Sequence, residues 1–296
     1  MLTLVADVLR TQPLRATRMA FGHNSITYDV ALPDRDVIVR TNDRADVFAG
    51  TERNLTVLHG LGLPVSQVLA SDLKQTQTPF AYMILEKIPG RDLRYELGSM
   101  NQAQMTRLAE QVVAFQRTVA GLPEGSGYGF VSVGEKGPYS FWWELICHEQ
   151  IGNRTGRFDD ELAYREARII QEFKHLARYF LDVPPTCFLD DLTVKNVIVE
   201  SGELRGLVDF DCVCYGDPLY WIALTAVGVV SDVGTAGLFY IEELMRLWAL
   251  TDVQRRVLAL YSASMCAWFV RRFTAQETTD WRQRMLTAME RWMNEV

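Results

Sequence analysis

Three side chains within residues 187–211, CFLDDLTVKNVIVESGELRGLVDFD, have the types and spacing of one kind of chemistry. Asp191 and Asn196 are separated by four residues, and Asp209 follows at the end of the second of two short β-branched runs, 197–199 and 204–208. Between the runs lies Glu200-Ser201-Gly202-Glu203, a polar, glycine-containing link that marks a tight hairpin. One acid therefore stands just before the hairpin, with the amide beside it, and another acid stands at its exit. Two carboxylates and an amide around one small volume are what phosphoryl transfer needs. Asp191 would orient the attacking hydroxyl or accept its proton, while Asn196 and Asp209 would offer oxygen ligands to Mg²⁺ held against nucleotide phosphates.

The elements that must position these groups are legible on either side. Residues 2–9 read as a short amphipathic helix, and residues 18–32 as two strand-like runs around a Gly22-His23-Asn24-Ser25 turn. Such a turn can lay backbone N–H groups and the Ser25 hydroxyl over phosphates, and a plain hairpin turn is an equal reading of its single glycine. Residues 36–40, DVIVR, form a strand. Residues 80–88, FAYMILEKI, form another, closed by Pro89-Gly90, the clearest punctuation in the chain and the expected boundary between two lobes. Asn101 with Gln104 three residues later is a capping-box pair, and Met105, Leu108, Ala109, Val112, Phe115 and Val119 follow at helical spacing. The glycine-rich stretch 121–137 must be loop or irregular β structure. A long amphipathic pattern through Leu162, Ile169, Ile170, Phe173, Leu176, Ala177 and Phe180 ends before Pro184-Pro185, and the remainder of the chain beyond residue 218 reads as helical.

Taken together, D-L-T-V-K-N, the hairpin, V-D-F-D and Gly216-Asp217-Pro218 resemble the aminoglycoside phosphotransferase and choline kinase-like family of small-molecule kinases. The resemblance implies an α+β, protein-kinase-like two-lobed fold, with a small β-rich N-lobe (residues 1–88) ending in a hinge and a larger, mainly helical C-lobe (residues 89–296). It also implies ATP and Mg²⁺ as cofactors and transfer of the γ-phosphate to a hydroxyl. By the same resemblance Ser25, Arg40, Glu52, Glu86 and Ile88 bind the nucleotide: Arg40 as the phosphate-pairing cation, Glu52 as the helix acid that holds it, and Glu86 to Ile88 as the hinge that meets adenine. The chain departs from the family string H-G-D-x-x-x-x-N by carrying Leu189 and Asp190 before Asp191. It departs from G-D-P-x-x-D by carrying Trp221 in place of the second acid.

Composition narrows the partners. The 296 residues are 48% hydrophobic, enough for a large core, and 37 acids against 30 Lys and Arg give a formal net charge of −7, which argues against a nucleic-acid ligand. No membrane-length apolar run and no basic, apolar leader are visible, so the expectation is a cytoplasmic protein without a membrane partner. The five cysteines lack metal-ligand spacing and read as reduced packing residues. An acidic balance and an aromatic-rich second half favour a cationic small-molecule acceptor, an amino sugar, aminoglycoside or other hydroxylated amine. Asp190, Trp142, Glu144 and Trp221 are the candidates for lining its site. A nucleotide-binding module weak in catalysis and a protein kinase are the rival readings, and the joint retention of Asp191, Asn196 and Asp209 weighs against the first. Sequence leaves the oligomeric state open.

Overall fold

The structure, a computed structural model, describes residues 1–19, 25–152, 160–274 and 277–296. The N-terminal lobe comprises α1 (Leu2–Leu9), β1 (Arg15–Arg18), β2 (Ile26–Ala31), β3 (Asp36–Asn42), α2 (Thr51–Gly60), β4 (Val68–Asp72) and β5 (Ala81–Glu86), with the strands in one antiparallel sheet of order β1-β2-β3-β5-β4. Strand alternation sets the two faces of this sheet. Val37 and Val39 of β3 and Tyr82 and Ile84 of β5 pack with Val5 of α1. Ile38 and Met83 turn instead toward the main core with Phe48 and Leu55, and Arg40 lies on that same face, paired in register with Met83.

The larger lobe begins at β6 (Arg91–Asp92), which pairs with β9 (Val197–Glu200); β9 in turn pairs with β10 (Glu203–Leu207). Gly90 permits this crossing: its φ is 115°, and a Cβ there would lie 2.5 Å from the Val199 carbonyl oxygen. Ser201 and Gly202 both have positive φ, 56° and 77°, the conformation of a two-residue type I′ hairpin turn. A second small sheet joins β7 (Gly129–Val131), β11 (Val213–Gly216) and β8 (Thr186–Phe188). Helices α3 (Gln102–Ala120), α4 (Trp142–Ile146), α5 (Asp160–His175), α6 (Ala177–Leu181), α7 (Leu219–Asp232), α8 (Leu238–Trp248), α9 (Asp252–Phe273) and α10 (Thr279–Met293) complete the lobe. Asn101 caps α3 with both bonds of the capping box in place. The expected two-lobed α+β architecture is therefore the observed one.

Two expectations differ in detail. The long helix expected through residue 180 is broken at Leu176 into α5 and α6, an arrangement in which the Tyr179 hydroxyl donates to Asp217 (3.1 Å). The second hairpin strand ends at Leu207: the Val208 N–H still donates to the Asn196 carbonyl (3.0 Å), but the Asn196 N–H turns back to the Thr193 carbonyl (3.1 Å) and the ladder stops. Among the described residues no helix is long and apolar enough to cross a membrane.

Candidate active site

The turn between β8 and β9 carries Asp190, Asp191 and Asn196, and its backbone is fixed from behind. Gln116, fully buried on α3, donates its amide to the Leu189 carbonyl (2.7 Å) and accepts from the Leu189 N–H (3.0 Å). Buried Leu189 thus supplies backbone groups for bracing, and Gln116 supplies the brace. Within the turn, Thr193 donates to the Asp191 carboxylate (3.1 Å), and the Asn196 amide nitrogen donates to the Asp191 carbonyl (2.8 Å). With its nitrogen committed, the Asn196 amide keeps its oxygen for another partner.

Asp191 is exposed to solvent on one side, yet protein atoms crowd its carboxyl. This desolvation, reinforced by the negative charge of Asp209, raises its pKa to about 6 against the hydrogen bonds from Thr193 and Asn196. Desolvation and then the Asp191 charge raise half-buried Asp190 to about 7. Asp209 is also raised, by desolvation, although Arg40 opposes the shift. It adopts φ 68°, a left-handed conformation uncommon outside glycine and found where local structure over-determines the backbone. The Val208–Asn196 bond places Asn196 beside the residue that precedes Asp209. The donor chemistry suits Mg²⁺: a carboxylate and an amide oxygen, both hard, near acids whose mutual repulsion a cation would relieve. Among the described residues no group of three or more His, Cys, Asp or Glu side chains is arranged to hold a metal ion.

The nucleotide-side expectations fare unequally. Arg40 reaches the site from β3, with Nη1 3.7 Å from Asp209 and Nε donating to Ser25 (3.2 Å). Residues 22–24 of the expected phosphate-binding turn lie outside the described residues. Glu52 does not hold Arg40. The guanidinium forms a fork with Asp211, both bonds 2.7 Å, while Glu52 sits on the outer side of α2, where Ser71 donates to it at 3.4 Å. Asp211 wins because the β10–β11 connection brings its carboxylate end-on to the guanidinium and Thr51 donates to the same carboxylate (2.7 Å). At the expected hinge, the Glu86 N–H is taken by the Gln67 carbonyl (2.9 Å), and half-buried Ile88 packs over Gly206.

Two of the four acceptor candidates are excluded by burial. Trp142 is fully buried, donating its indole N–H to Tyr261 (2.6 Å); its ring covers Gly216, where a Cβ would lie 2.1 Å from it. Trp221 is likewise fully buried, edge-on to Trp248. Both are drawn inward because large apolar rings gain more from the core than from a wet cleft. Glu144 is exposed at the start of α4 and accepts from the Ser140 N–H (2.7 Å). Asp190 stays at the cleft, 3.9 Å from the Cys212 sulfur. The buried acid of the Gly216-Asp217-Pro218 stretch is structural: Asp217 accepts from Tyr179, Tyr261 and the Leu219 N–H.

Sequence reasoning missed Asp211, Thr51, Asn54 and Gln116. Asp211 had a signal, since V-D-F-D places Asp209 and Asp211 two residues apart. Gln116 had one too, being polar and four residues beyond Val112 in an otherwise apolar stripe. Thr51 and Asn54 had none.

The profile of the phosphotransferase enzyme family matches residues 16–260. The chain belongs to this family. Hygromycin-B 4-O-kinase of Escherichia coli is 23% identical to this phosphotransferase-family chain over 211 residues; the match spans 70% of the chain and 60% of that relative's length. A thermostable mutant of aminoglycoside phosphotransferase APH(4)-Ia in its apo form has the same fold, with TM-score 0.74 and 17% identity, covering 99% of this chain and 98% of that one. A ternary complex of the same enzyme with ADP and hygromycin B gives TM-score 0.71 and 17% identity, covering 99% and 97%. The GDP and kanamycin complex of another aminoglycoside phosphotransferase, of the 2″ class, gives 0.70 and 15%, covering 99% and 97%.

Proposed function

We propose that this family member transfers the γ-phosphate of ATP to a hydroxyl of a small, cationic molecule, an amino sugar, aminoglycoside or related hydroxylated amine. The observation that carries the reading is the clustering of Asp191, Asn196, Asp209 and Arg40: Asn196 bonds the Asp191 carbonyl, the Asp209 charge reaches Asp191, and Arg40 lies 3.7 Å from Asp209. Asp191, raised toward neutrality, orients the acceptor hydroxyl and takes its proton. Asn196 and Asp209 hold Mg²⁺, and Arg40 meets nucleotide phosphates from β3. Bound Mg²⁺-ATP supplies the phosphoryl group and neutralises the charge that develops on it. Residues 1–88 act as the nucleotide lobe, with the Glu86 carbonyl and the Ile88 amide meeting adenine, because the Glu86 N–H is committed to Gln67. Residues 89–296 carry the catalytic turn and the acceptor site.

The preference for a cation rests on charge at the cleft. Asp190, Asp191, Asp209 and Asp211 surround it, and Arg40 is the cation in direct contact with two of them. Asp190 is the foremost acceptor ligand, with Glu144 a more distant one. The named relatives, a hygromycin-B kinase and complexes with hygromycin B and kanamycin, support an aminoglycoside-like acceptor.

The test is ADP release with aminoglycosides, amino sugars, choline and uncharged sugars at equal concentration. Turnover with the amines that weakens as salt rises is the expected result. Turnover with uncharged sugars alone, insensitive to salt, overturns the cationic acceptor and leaves the kinase reading standing. Asp209→Asn, which tolerates the left-handed backbone better than Ala, should lose Mg²⁺-dependent transfer while remaining folded.

A further inference from the structure

We infer that Asp211 is the residue that positions Arg40 for the nucleotide phosphates, in place of a carboxylate on α2; this rests on the phosphotransferase reading above. The Arg40 guanidinium is nearly buried, 11% exposed, and Asp211 meets it end-on through Nη1 and Nη2 at 2.7 Å each. A fork of this kind fixes both the plane and the direction of the guanidinium. Each terminal nitrogen carries two N–H groups, so each keeps a donor beyond the one given to Asp211. Those donors are what an anionic phosphate oxygen would meet.

Asp211 is itself held on two sides. Thr51, in the first turn of α2, donates to its Oδ1 (2.7 Å). One turn on, Asn54 donates to the Phe210 carbonyl (3.0 Å) and accepts from the Val133 N–H (2.8 Å). Gly50 lies so close that a Cβ there would sit 2.7 Å from the Asp211 carbonyl oxygen. The helix therefore grips the Asp209–Asp211 segment through Thr51 and Asn54, while its own acid, Glu52, points elsewhere. Arg40 and the Asp209–Asp211 segment are consequently one hydrogen-bonded unit. If Asp211 were lost, the guanidinium would lose the fork that fixes its plane and direction.

Calorimetric titration of the full chain with Mg²⁺-ATP, without acceptor, tests the inference. Four proteins suffice: wild type, Asp211→Asn, Arg40→Met and the combination of both. Asp211→Asn should weaken Mg²⁺-ATP binding about tenfold. The combination should bind no more weakly than Arg40→Met alone, because Asp211 acts through Arg40. Asp211→Glu, which keeps the carboxylate, should recover most of the affinity, and the Mg²⁺ concentration needed for half-saturation should be unchanged in Asp211→Asn. Additive losses overturn the inference, as does a raised Mg²⁺ requirement with normal ATP affinity at saturating Mg²⁺, which would make Asp211 a metal ligand. If Asp211→Asn fails to fold, Thr51→Val with and without Arg40→Met carries the same non-additivity test. Wild type that binds no Mg²⁺-ATP overturns the phosphotransferase reading itself, an outcome visible before any variant is compared.

Discussion

Asp191 and Asp190 are chemically identical neighbours in different surroundings, and the proposed mechanism gives only Asp191 the part of base. Asp191 has Thr193 on its carboxylate and Asn196 on its carbonyl, and it faces the cleft. Asp190 is crowded by Asp191 and by Cys212. Asp191→Asn should therefore lower the transfer rate ~10²- to 10⁴-fold, the usual worth of a general base, with Mg²⁺-ATP affinity by titration largely kept. The reverse result, full rate in Asp191→Asn and a collapse in Asp190→Asn, would exchange the two roles. A pH profile gives a second check. A carboxylate base works ionised, so kcat/KM of the free enzyme should fall as pH drops through about 6, the raised value for Asp191. Asp190, raised to about 7 by desolvation and then by the charge of Asp191, is still largely protonated where Asp191 titrates, so Asp190→Asn should leave the acid limb near 6. A limb that moves to lower pH in Asp190→Asn would mean that Asp190 ionises before Asp191, reversing the order of the two acids.

The legible part of the site was the part written as a contiguous pattern. Asp191, Asn196, Asp209 and the hairpin between them follow from spacing and turn chemistry. The partner of Arg40 depends on a contact 171 residues away, which no local spacing encodes. Aromatic residues misled for a related reason: composition says that Trp142 and Trp221 are present but not which way they face, and both face inward. At the level of elements, the catalytic turn owes its shape to α3 through Gln116. Gln116→Leu fills the same space and removes both bonds, leaving the Leu189 N–H and carbonyl buried without partners. The expected cost is about 2–5 kcal/mol of stability. Because the turn carries Asp191 and leaves β3 untouched, kcat should fall more than KM for ATP rises. Urea unfolding of the variant beside wild type, together with steady-state kinetics, checks both. Unchanged stability and unchanged kcat would show that the turn holds its shape without α3.

Across the whole molecule, the two lobes are joined by much more than the hinge. Val65 forms a parallel bridge with Leu207, and the Leu207 N–H donates to the Pro64 carbonyl (2.8 Å). Asn54 bridges Phe210 and Val133, and Arg40 and Thr51 both reach Asp211. Phe48, Leu55, Met83 and Leu85 of the first lobe belong to the same continuous core as Leu207, Phe210 and Val133 of the second. Separating the lobes would strip apolar surface and strand several buried polar groups at once, so neither lobe has much independent stability to offer. The chain should therefore melt in one calorimetric transition, with the van't Hoff enthalpy close to the calorimetric one. Mg²⁺-ATP, bound across the same junction, should raise the transition temperature without splitting it. Two resolved transitions would mean that the contacts at Asp211, Phe210 and Leu207 are looser in solution. Such looseness would also weaken the coupling between Arg40 and the Asp209–Asp211 segment, so calorimetry bears on the proposed mechanism as well as on fold.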